Sequence, residues 1–226
     1  FITHNFQAIA TSIETIKLLS LEAKKQNKTA QLHLYIDTGM RREGVNPEDV
    51  LGFMEEARNF TNINWIGICT HFATSDDPDS IFAEFQLNSF NQVIEILENN
   101  RFCFPLIHAA NTAAIARIPS AQFNLVRPGL SLHGCAANTD IALQLKLKPT
   151  LTLKTTVLTI RRVPAGTSIS SGRRYFTSQE STIATIPIGY GDGYFRSLSG
   201  KAECLIRGER YPIVGTICMD ECMVDI

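Results

Sequence analysis

The chain has 226 residues, of which 44% are hydrophobic and 19% are charged, and its formal net charge is -1. This composition is typical of a folded globular protein and excludes an intrinsically disordered chain. The near-neutral charge argues against a nucleic-acid partner, and no apolar run reaches the roughly 18 residues that a membrane span needs. Because the first residues have neither the basic start nor the apolar core of a signal peptide, we expect a cytoplasmic protein.

The first half of the sequence alternates helical and strand patterns. Apolar residues at helical spacing predict a helix over 6–25, and the buried run 31–36 predicts a strand. Asn46 as N-cap and Pro47 at the first helical position predict the start of a second helix. Further strands are predicted at 63–72, 106–111 and 123–129, and further helices at 80–98 and 112–118. Alternation of this kind predicts parallel strands joined by crossover helices.

After about residue 145 the patterns are those of strands without intervening helices. The segment RGER predicts a hairpin turn between two of these strands. We therefore expect an α/β domain over residues 1–142 and an all-β domain over 143–226. Four βα units cannot close an eight-stranded barrel, which needs about 250 residues by itself. Either the sheet is open and doubly wound, or the chain is a fragment of a barrel protein that is also incomplete at its C-terminus.

Two patterns that resemble metal or cofactor motifs fail on spacing. The six cysteines include no Cys-x-x-Cys pair, which favours buried, reduced thiols over disulfides or a zinc site. The segment GYGDGY (189–194) has the pattern GxGxG rather than GxGxxG and precedes no helix, so we reject a dinucleotide fingerprint. We expect instead a glycine-rich strand end that another segment approaches closely.

Polar side chains gather where the predicted parallel strands end, the edge at which α/β folds carry their reactive groups. They are Asp37, Arg42, His71, Asp76, His108, Asn111, Thr112 and Arg127. Taken singly, Asp37 is also explained by an Asx turn, the histidines by core packing, and Arg127 by a structural ion pair. Taken together they predict a site, in which a partly buried Arg127 needs an electron-rich partner.

Six collinear segments resemble conserved blocks of one enzyme family. They are HLYIDTGMRREGV, GICTHFATSDD, HAANTAAIARIP, FNLVRPGLSLHG, IPIGYGDGYFRSLSGK and PIVGTICMDECMVDI, and the family is alanine racemase. The resemblance implies a partial TIM (β/α) barrel followed by an all-β C-terminal domain. It also implies an isomerase that uses pyridoxal 5'-phosphate (PLP) to interconvert L- and D-alanine for peptidoglycan, acting as a homodimer on a small amino-acid substrate.

The resemblance also implies roles for individual residues. Arg127 corresponds to the arginine that faces the pyridine nitrogen of PLP, where a fixed cation opposes protonation and weakens the ring as an electron sink. His71 corresponds to the histidine beside that ring, and Arg42 to the arginine near the substrate carboxylate and the phenolic oxygen of the cofactor. The other implied positions are Asn111, Thr112, Gly129 and Leu130 at the cofactor phosphate, Met219 at the substrate from the partner subunit, and Asp76, Tyr190 and Arg196 at the entrance.

The sequence departs from the family at the two residues that act as catalytic bases in racemisation. The family uses a PLP-bearing lysine, which lies upstream of residue 1, and a tyrosine, whose position is taken here by Ser171. A serine hydroxyl is a weaker acid than a phenol with a pKa of about 10, so it is a poor second base. Tyr35 stands where many members have a carbamylated lysine, and Thr216 stands where an entrance arginine is common.

A C-terminal stretch that supplies a further tyrosine is also missing. We therefore expect the chain alone to be inactive. The alternatives are a non-catalytic PLP-binding protein and an enzyme of this fold type that acts on another amino acid.

Overall fold

The N-terminal part of the chain is built on a four-stranded parallel sheet, in the order β1-β2-β3-β4. The computed structural model describes residues 1–226. The strands of this sheet are β1 (Ala8–Ala10), β2 (Ala30–Tyr35), β3 (Ile63–Cys69) and β4 (Leu106–His108). The helices are α1 (Ile13–Lys25), α2 (Val50–Ala57), α3 (Ile81–Asn99), α4 (Thr112–Arg117) and α5 (Thr139–Gln144). None of these helices combines the length and apolarity needed to span a bilayer.

The two faces of the sheet differ. On β2, Leu32 and Leu34 are fully buried in clusters with residues of α1, α2 and α3. His33 and Tyr35 lie on the opposite face, since side chains alternate along a strand. A doubly wound sheet would carry helices on both faces, so one-sided cover favours the partial barrel. The expected α/β part followed by an all-β part is confirmed, and the parallel sheet is open.

The predicted set of four strands is wrong in one member. The segment 123–129 forms no strand, because Phe123 has a φ of 44° and Pro128 lacks an N–H. The side chain of Asn124 occupies the edge of β4 instead, accepting from Ile107 N at 2.8 Å and donating to Pro105 O at 2.8 Å. The fourth strand is β1, whose three residues lie inside the segment 6–25 that was predicted to be helical.

The two predicted helix starts have different outcomes. The helix predicted over 6–25 begins only at Ile13, after Ser12, whose side chain accepts from Thr15 N at 3.3 Å. Asn46 and Pro47 stand at the N-cap and first position of a helical segment, as predicted, but the segment opens with a 3-10 turn (Pro47–Asp49) in which Asn46 makes no side-chain cap hydrogen bond, and α2 begins at Val50.

The second part of the chain is all-β, with a five-stranded antiparallel sheet in the order β5-β8-β11-β10-β9 and a β6-β7 hairpin. The strands are β5 (Thr159–Val163), β6 (Ser168–Ile169), β7 (Tyr175–Phe176), β8 (Ser181–Ile186), β9 (Glu203–Ile206), β10 (Glu209–Val214) and β11 (Cys222–Asp225). The RGER turn is confirmed: Arg207 and Gly208 both have positive φ, as a two-residue hairpin loop requires. The chain divides into two units, a first unit of Phe1–Leu151 and a second unit of Thr152–Ile226. The boundary after residue 142 stays a prediction.

All six cysteines are unpaired. Cys69 and Cys222 are buried, as expected, but Cys103 and Cys135 are exposed. The expectation of burial is wrong for these two because they lie in connecting segments, outside the strands.

Gly67 on β3 makes room for His33 on β2. The two residues are register partners, and a Cβ at Gly67 would lie 2.1 Å from His33 Nδ1. We predict that Gly67→Ala lowers the free energy of unfolding by about 1–3 kcal/mol, because His33 would have to leave its place on the sheet. Urea denaturation measures this loss. The matched control is Gly52→Ala in α2, where a Cβ meets nothing within 4 Å and should raise stability by about 0.5–1 kcal/mol. Equal effects of the two substitutions would show that His33 is free to move.

Candidate functional site

Arg127 ties together the carboxyl ends of β3 and β4. Its backbone N donates to Ala110 O at 2.9 Å. Nη1 donates to His108 O at 3.0 Å, and Nη2 donates to Thr70 O at 2.7 Å and Ala109 O at 3.0 Å. The guanidinium is therefore held by backbone carbonyls at the sheet edge where a site was expected.

The same guanidinium donates to two imidazoles. Nη1 lies 2.7 Å from His108 Nδ1, and Nη2 lies 3.2 Å from His71 Nδ1. A guanidinium has no acceptor atom, so both Nδ1 atoms accept and each neutral ring carries its proton on Nε2. No ion pair of the chain includes Arg127, so the structural ion pair considered from sequence is wrong. Burial lowers the pKa of Arg127, and only neutral groups compensate its charge.

A row of hydrogen bonds runs from Arg127 across the sheet. His108 Nε2 donates to His33 Nδ1 at 2.8 Å, and His33 Nε2 donates to Gln7 Oε1 at 3.0 Å. Burial, the charge of Arg127 and His33 together lower the pKa of His108 to about 3. Burial and then Arg127 also lower the pKa of His33. Both imidazoles are therefore neutral at pH 7, and core packing explains His108 in addition to its contact with Arg127.

His71 differs from His108 in that Arg127 is its only side-chain hydrogen-bond partner. Burial, followed by the charges of Arg127 and Arg42, lowers the pKa of His71. A neutral His71 therefore has an Nε2–H that is not used within the chain. This leaves it available to a ligand.

Gln86, which the sequence analysis missed, fixes the segment that carries His71. It is fully buried on α3, and its Nε2 donates to His71 O at 3.0 Å and Thr38 Oγ1 at 3.2 Å. Its Oε1 accepts from Ala73 N at 2.9 Å. A single amide among the apolar positions of α3 was the available signal, because a buried polar side chain must find partners.

Most of the predicted residues of the first unit border one cavity of ≈ 310 Å³. Its lining includes His71, Asp76, Asn111, Thr112, Arg127, Gly129 and Leu130. Asn111 Oδ1 accepts from Ala114 N at 3.0 Å and from Ser75 Oγ at 2.9 Å. Thr112 Oγ1 accepts from Gly129 N at 3.2 Å. These bonds hold the two loops that form the cavity wall.

Two residues of the β2 end stand apart from that lining. Arg42 is exposed and lies 3.7 Å from Glu43 Oε1, although its charge acts on His71. Asp37 Oδ1 accepts from Gly39 N at 2.9 Å and Arg41 N at 3.0 Å. The Asx-turn explanation of Asp37 is therefore correct.

In the second unit, Ser171 lies in the exposed connection between β6 and β7. Its Oγ is 3.8 Å from Cys218 Sγ, and its carbonyl accepts from Thr216 Oγ1 at 2.8 Å. Ser170 Oγ lies 3.6 Å from the same thiol. The structure thus brings Ser171 beside the segment that contains Met219.

The glycine-rich segment packs on that same segment. Tyr190 N donates to Cys218 O at 3.0 Å, and a Cβ at Gly189 would lie 2.2 Å from Met219 O. The close approach expected from the glycines is therefore present, and Met219 itself is exposed. Arg196 starts an exposed 3-10 turn and makes no side-chain hydrogen bond to Tyr190, Met219 or Ser171.

Comparisons with known proteins agree across both units. Residues 1–137 match the family model "Alanine racemase, N-terminal domain" and residues 150–226 match "Alanine racemase, C-terminal domain". The alanine racemase of Halothermothrix orenii is 40% identical over 213 residues, which cover 94% of this chain and 56% of that protein. That of Clostridium novyi is 40% identical over 225 residues, covering 99% and 58%.

Solved structures show the same likeness. An alanine racemase of Clostridium difficile 630 superposes with a TM-score of 0.91 at 34% identity, covering 100% of this chain and 59% of that one. An alanine racemase of Bacillus anthracis with bound L-Ala-P gives a TM-score of 0.84 at 31% identity, covering 97% and 57%. The chain thus spans less than two thirds of the length of these relatives.

The neutral imidazoles predict an acid-sensitive fold. The pKa of His108 and that of His33 are lower in the folded chain than the unfolded value of about 6.5, so the unfolded chain binds more protons below that pH. Stability should be full above pH of about 6.5 and should fall toward pH 3, by up to about 1.4 kcal/mol per pH unit for His108 alone.

Urea denaturation between pH 7.5 and pH 4 measures this slope. His108→Asn should make the slope shallower, whereas His4→Asn, which replaces an exposed imidazole outside the row, should leave it as in the parent protein. An unchanged slope in His108→Asn would contradict the assignment.

Proposed function

Since the chain belongs to the alanine racemase family, we propose that the protein interconverts L-alanine and D-alanine with PLP as its cofactor. The product D-alanine serves peptidoglycan synthesis in this proposal. A cytoplasmic homodimer acting on a small amino acid is part of it, on the strength of the family resemblance.

The observation that carries the proposal is the setting of Arg127. Its guanidinium borders the cavity and contacts only carbonyls and neutral imidazoles, with no carboxylate to neutralise it. A cation in that position favours an electron-rich ring atom beside it and opposes the protonation of that atom. An unprotonated pyridine nitrogen is the arrangement that suits return of a proton to carbon, as racemisation requires.

The donor set of the cavity fits a phosphorylated pyridine. When bound, PLP withdraws electrons from the α-carbon of an amino acid and so makes its proton removable. Arg127 would contact the ring nitrogen, and the neutral His71 would lie beside the ring. The phosphate would be held by Asn111, Thr112, Gly129 and Leu130, and no hydrogen bond within the chain uses the backbone N–H of Leu130.

The other assigned residues complete the proposal. Arg42 and Met219 would contact the substrate, and Asp76, Tyr190 and Arg196 would line the entrance. Ser171 would stand at the second base. Because a serine hydroxyl exchanges its proton poorly at neutral pH, Ser171 favours the one rival with a specific observation, a non-catalytic PLP-binding protein.

The activity test measures D-alanine formed from L-alanine by the full-length protein, together with borohydride reduction and mass mapping of any PLP-bearing lysine. If the protein is a racemase limited by its second base, Ser171→Tyr should raise kcat by about 10²–10⁴-fold. The control is Ser178→Tyr, at an exposed position of the same unit, which should not. A PLP adduct with no D-alanine from either the parent or Ser171→Tyr would favour the non-catalytic protein.

Substitutions that reverse or keep the positive charge at position 127 test the proposed role of Arg127 beside the ring nitrogen. Arg127→Glu should favour protonation of the ring nitrogen and raise the ratio of pyruvate formed to alanine racemised by about tenfold or more, because a protonated ring is a stronger electron sink. Arg127→Lys loses the same bonds to carbonyls but keeps a cation, so its ratio should stay near that of the parent. Equal ratios in two folded variants would refute the role.

A further inference from the structure

The hydroxyl of Tyr35 is the one buried side-chain N or O atom of the chain without a hydrogen-bond partner. The residue is 4% exposed, at the carboxyl end of β2. Buried polar atoms in folded proteins nearly always have partners, and an exception calls for an explanation such as an absent ligand. The guanidinium of Arg42 lies close enough to the phenol to lower its pKa by hydrogen bonding and by charge, yet no contact of regular hydrogen-bond geometry reaches the hydroxyl. A guanidinium only donates, so the O–H of Tyr35 is in any case left without an acceptor.

The backbone fixes where this ring lies. Gly44 has a φ of 119°, and a Cβ there would lie 2.5 Å from Tyr35 Cδ1 and 3.0 Å from Cε1. Val45 N donates to Tyr35 O at 2.9 Å, which holds the two segments together. In the sheet register Tyr35 pairs with Cys69, which in turn pairs with His108. The hydroxyl therefore belongs to the same face and the same edge as the Arg127 site.

The surroundings of the hydroxyl hold donors but no available acceptor. Burial raises the pKa of Tyr35, although Arg42 lowers it, so the phenol keeps its proton. Arg127 is near enough for its charge to interact with Tyr35, and a guanidinium only donates. Burial raises the pKa of Cys69 to about 12, so that thiol is neutral. Glu43, the nearby carboxylate, is half-exposed and lies against Arg42 instead.

An O–H donor fixed beside two cations matches an anionic oxygen. Of the two cations, Arg42 is exposed and makes only an ion pair with Glu43 at 3.7 Å, whereas Nη1 and Nη2 of Arg127 are already held by carbonyls and imidazoles. A carboxylate has two oxygens, so Arg42 and the Tyr35 hydroxyl can each serve one of them.

We propose that the Tyr35 hydroxyl donates a hydrogen bond to the carboxylate of the substrate, beside Arg42. The naming of an amino acid as the source of that carboxylate rests on the proposed function. The need for an acceptor rests on the orphaned hydroxyl, and the negative charge of that acceptor rests on the nearby cations Arg42 and Arg127. Tyr35 is thereby a substrate-binding residue, and removal of its hydroxyl affects affinity while the ring continues to fill the space beside Gly44.

The test uses Tyr35→Phe in the full-length protein, with propionate as a carboxylate that has no amino group and does not react. Calorimetric titration should show propionate affinity reduced by about tenfold or more, as for a lost hydrogen bond to a charged group. The Tm without ligand should be equal or higher, because no partner of the hydroxyl is lost. The control Tyr211→Phe, whose hydroxyl bonds Glu209 at 2.9 Å, should leave propionate affinity unchanged.

A second readout follows the hydroxyl directly. In protein labelled at tyrosine Cζ, the NMR resonance of Tyr35 is identified as the one that is absent from Tyr35→Phe. This resonance should shift on addition of propionate and should not shift with the same concentration of chloride. An equal shift with chloride would overturn the assignment to a carboxylate. Unchanged propionate affinity in Tyr35→Phe, or a lower Tm without ligand, would overturn the proposal as a whole.

The outcomes also separate this inference from the proposed function. If the full-length protein forms no D-alanine but Tyr35→Phe still weakens propionate binding, the racemase proposal fails alone. If it racemises alanine and Tyr35→Phe changes neither the KM for L-alanine nor propionate affinity, the present inference fails alone.

Discussion

The contact between the Arg127 guanidinium and the carbonyls that follow β3 and β4 is the constraint on which the site depends. Thr70 O, His108 O and Ala109 O all point toward one guanidinium, so the ends of two strands and the segment 123–129 are held at fixed distances. The cost of burying the cation is met by these dipoles and by two neutral imidazoles, without an opposing charge. A carboxylate beside Arg127 would have neutralised its charge and so weakened the electrostatic effect of the guanidinium on a ligand.

Neutral polar groups fix the rest of the edge in the same manner. Gln86 joins α3 to the His71 segment, and Asn124 substitutes for a strand at the edge of β4. Each replaces a regular backbone hydrogen bond by a side-chain amide, which permits a loop where the parallel ladder stops. Irregular backbone at this edge of the sheet therefore has hydrogen-bond partners where these two amides reach it.

The sequence predicted a polar edge because residues that follow parallel strands must meet at one end of the sheet, and the structure places His71, Asn111 and Arg127 around one cavity there. It could not predict the partners of Arg127, since cross-strand neighbours depend on register, and the row through His33 to Gln7 joins residues that are distant along the chain. The strand β1 was missed because three residues carry no readable period. The roles of Ser171, Met219 and the entrance residues stay predictions, resting on family resemblance.

The row of imidazoles has a direction. Each ring has one proton to give, and Arg127 supplies only donors, so the sense of every bond from His108 to Gln7 is set from one end. The tautomer of His33 therefore depends on whether Arg127 donates to His108, although Arg127 and His33 share no hydrogen bond. Were a ligand to draw Arg127 away from His108, the imidazole nitrogens could exchange roles down the row, and the nitrogen resonances of His33 would report an event at the far edge of the sheet.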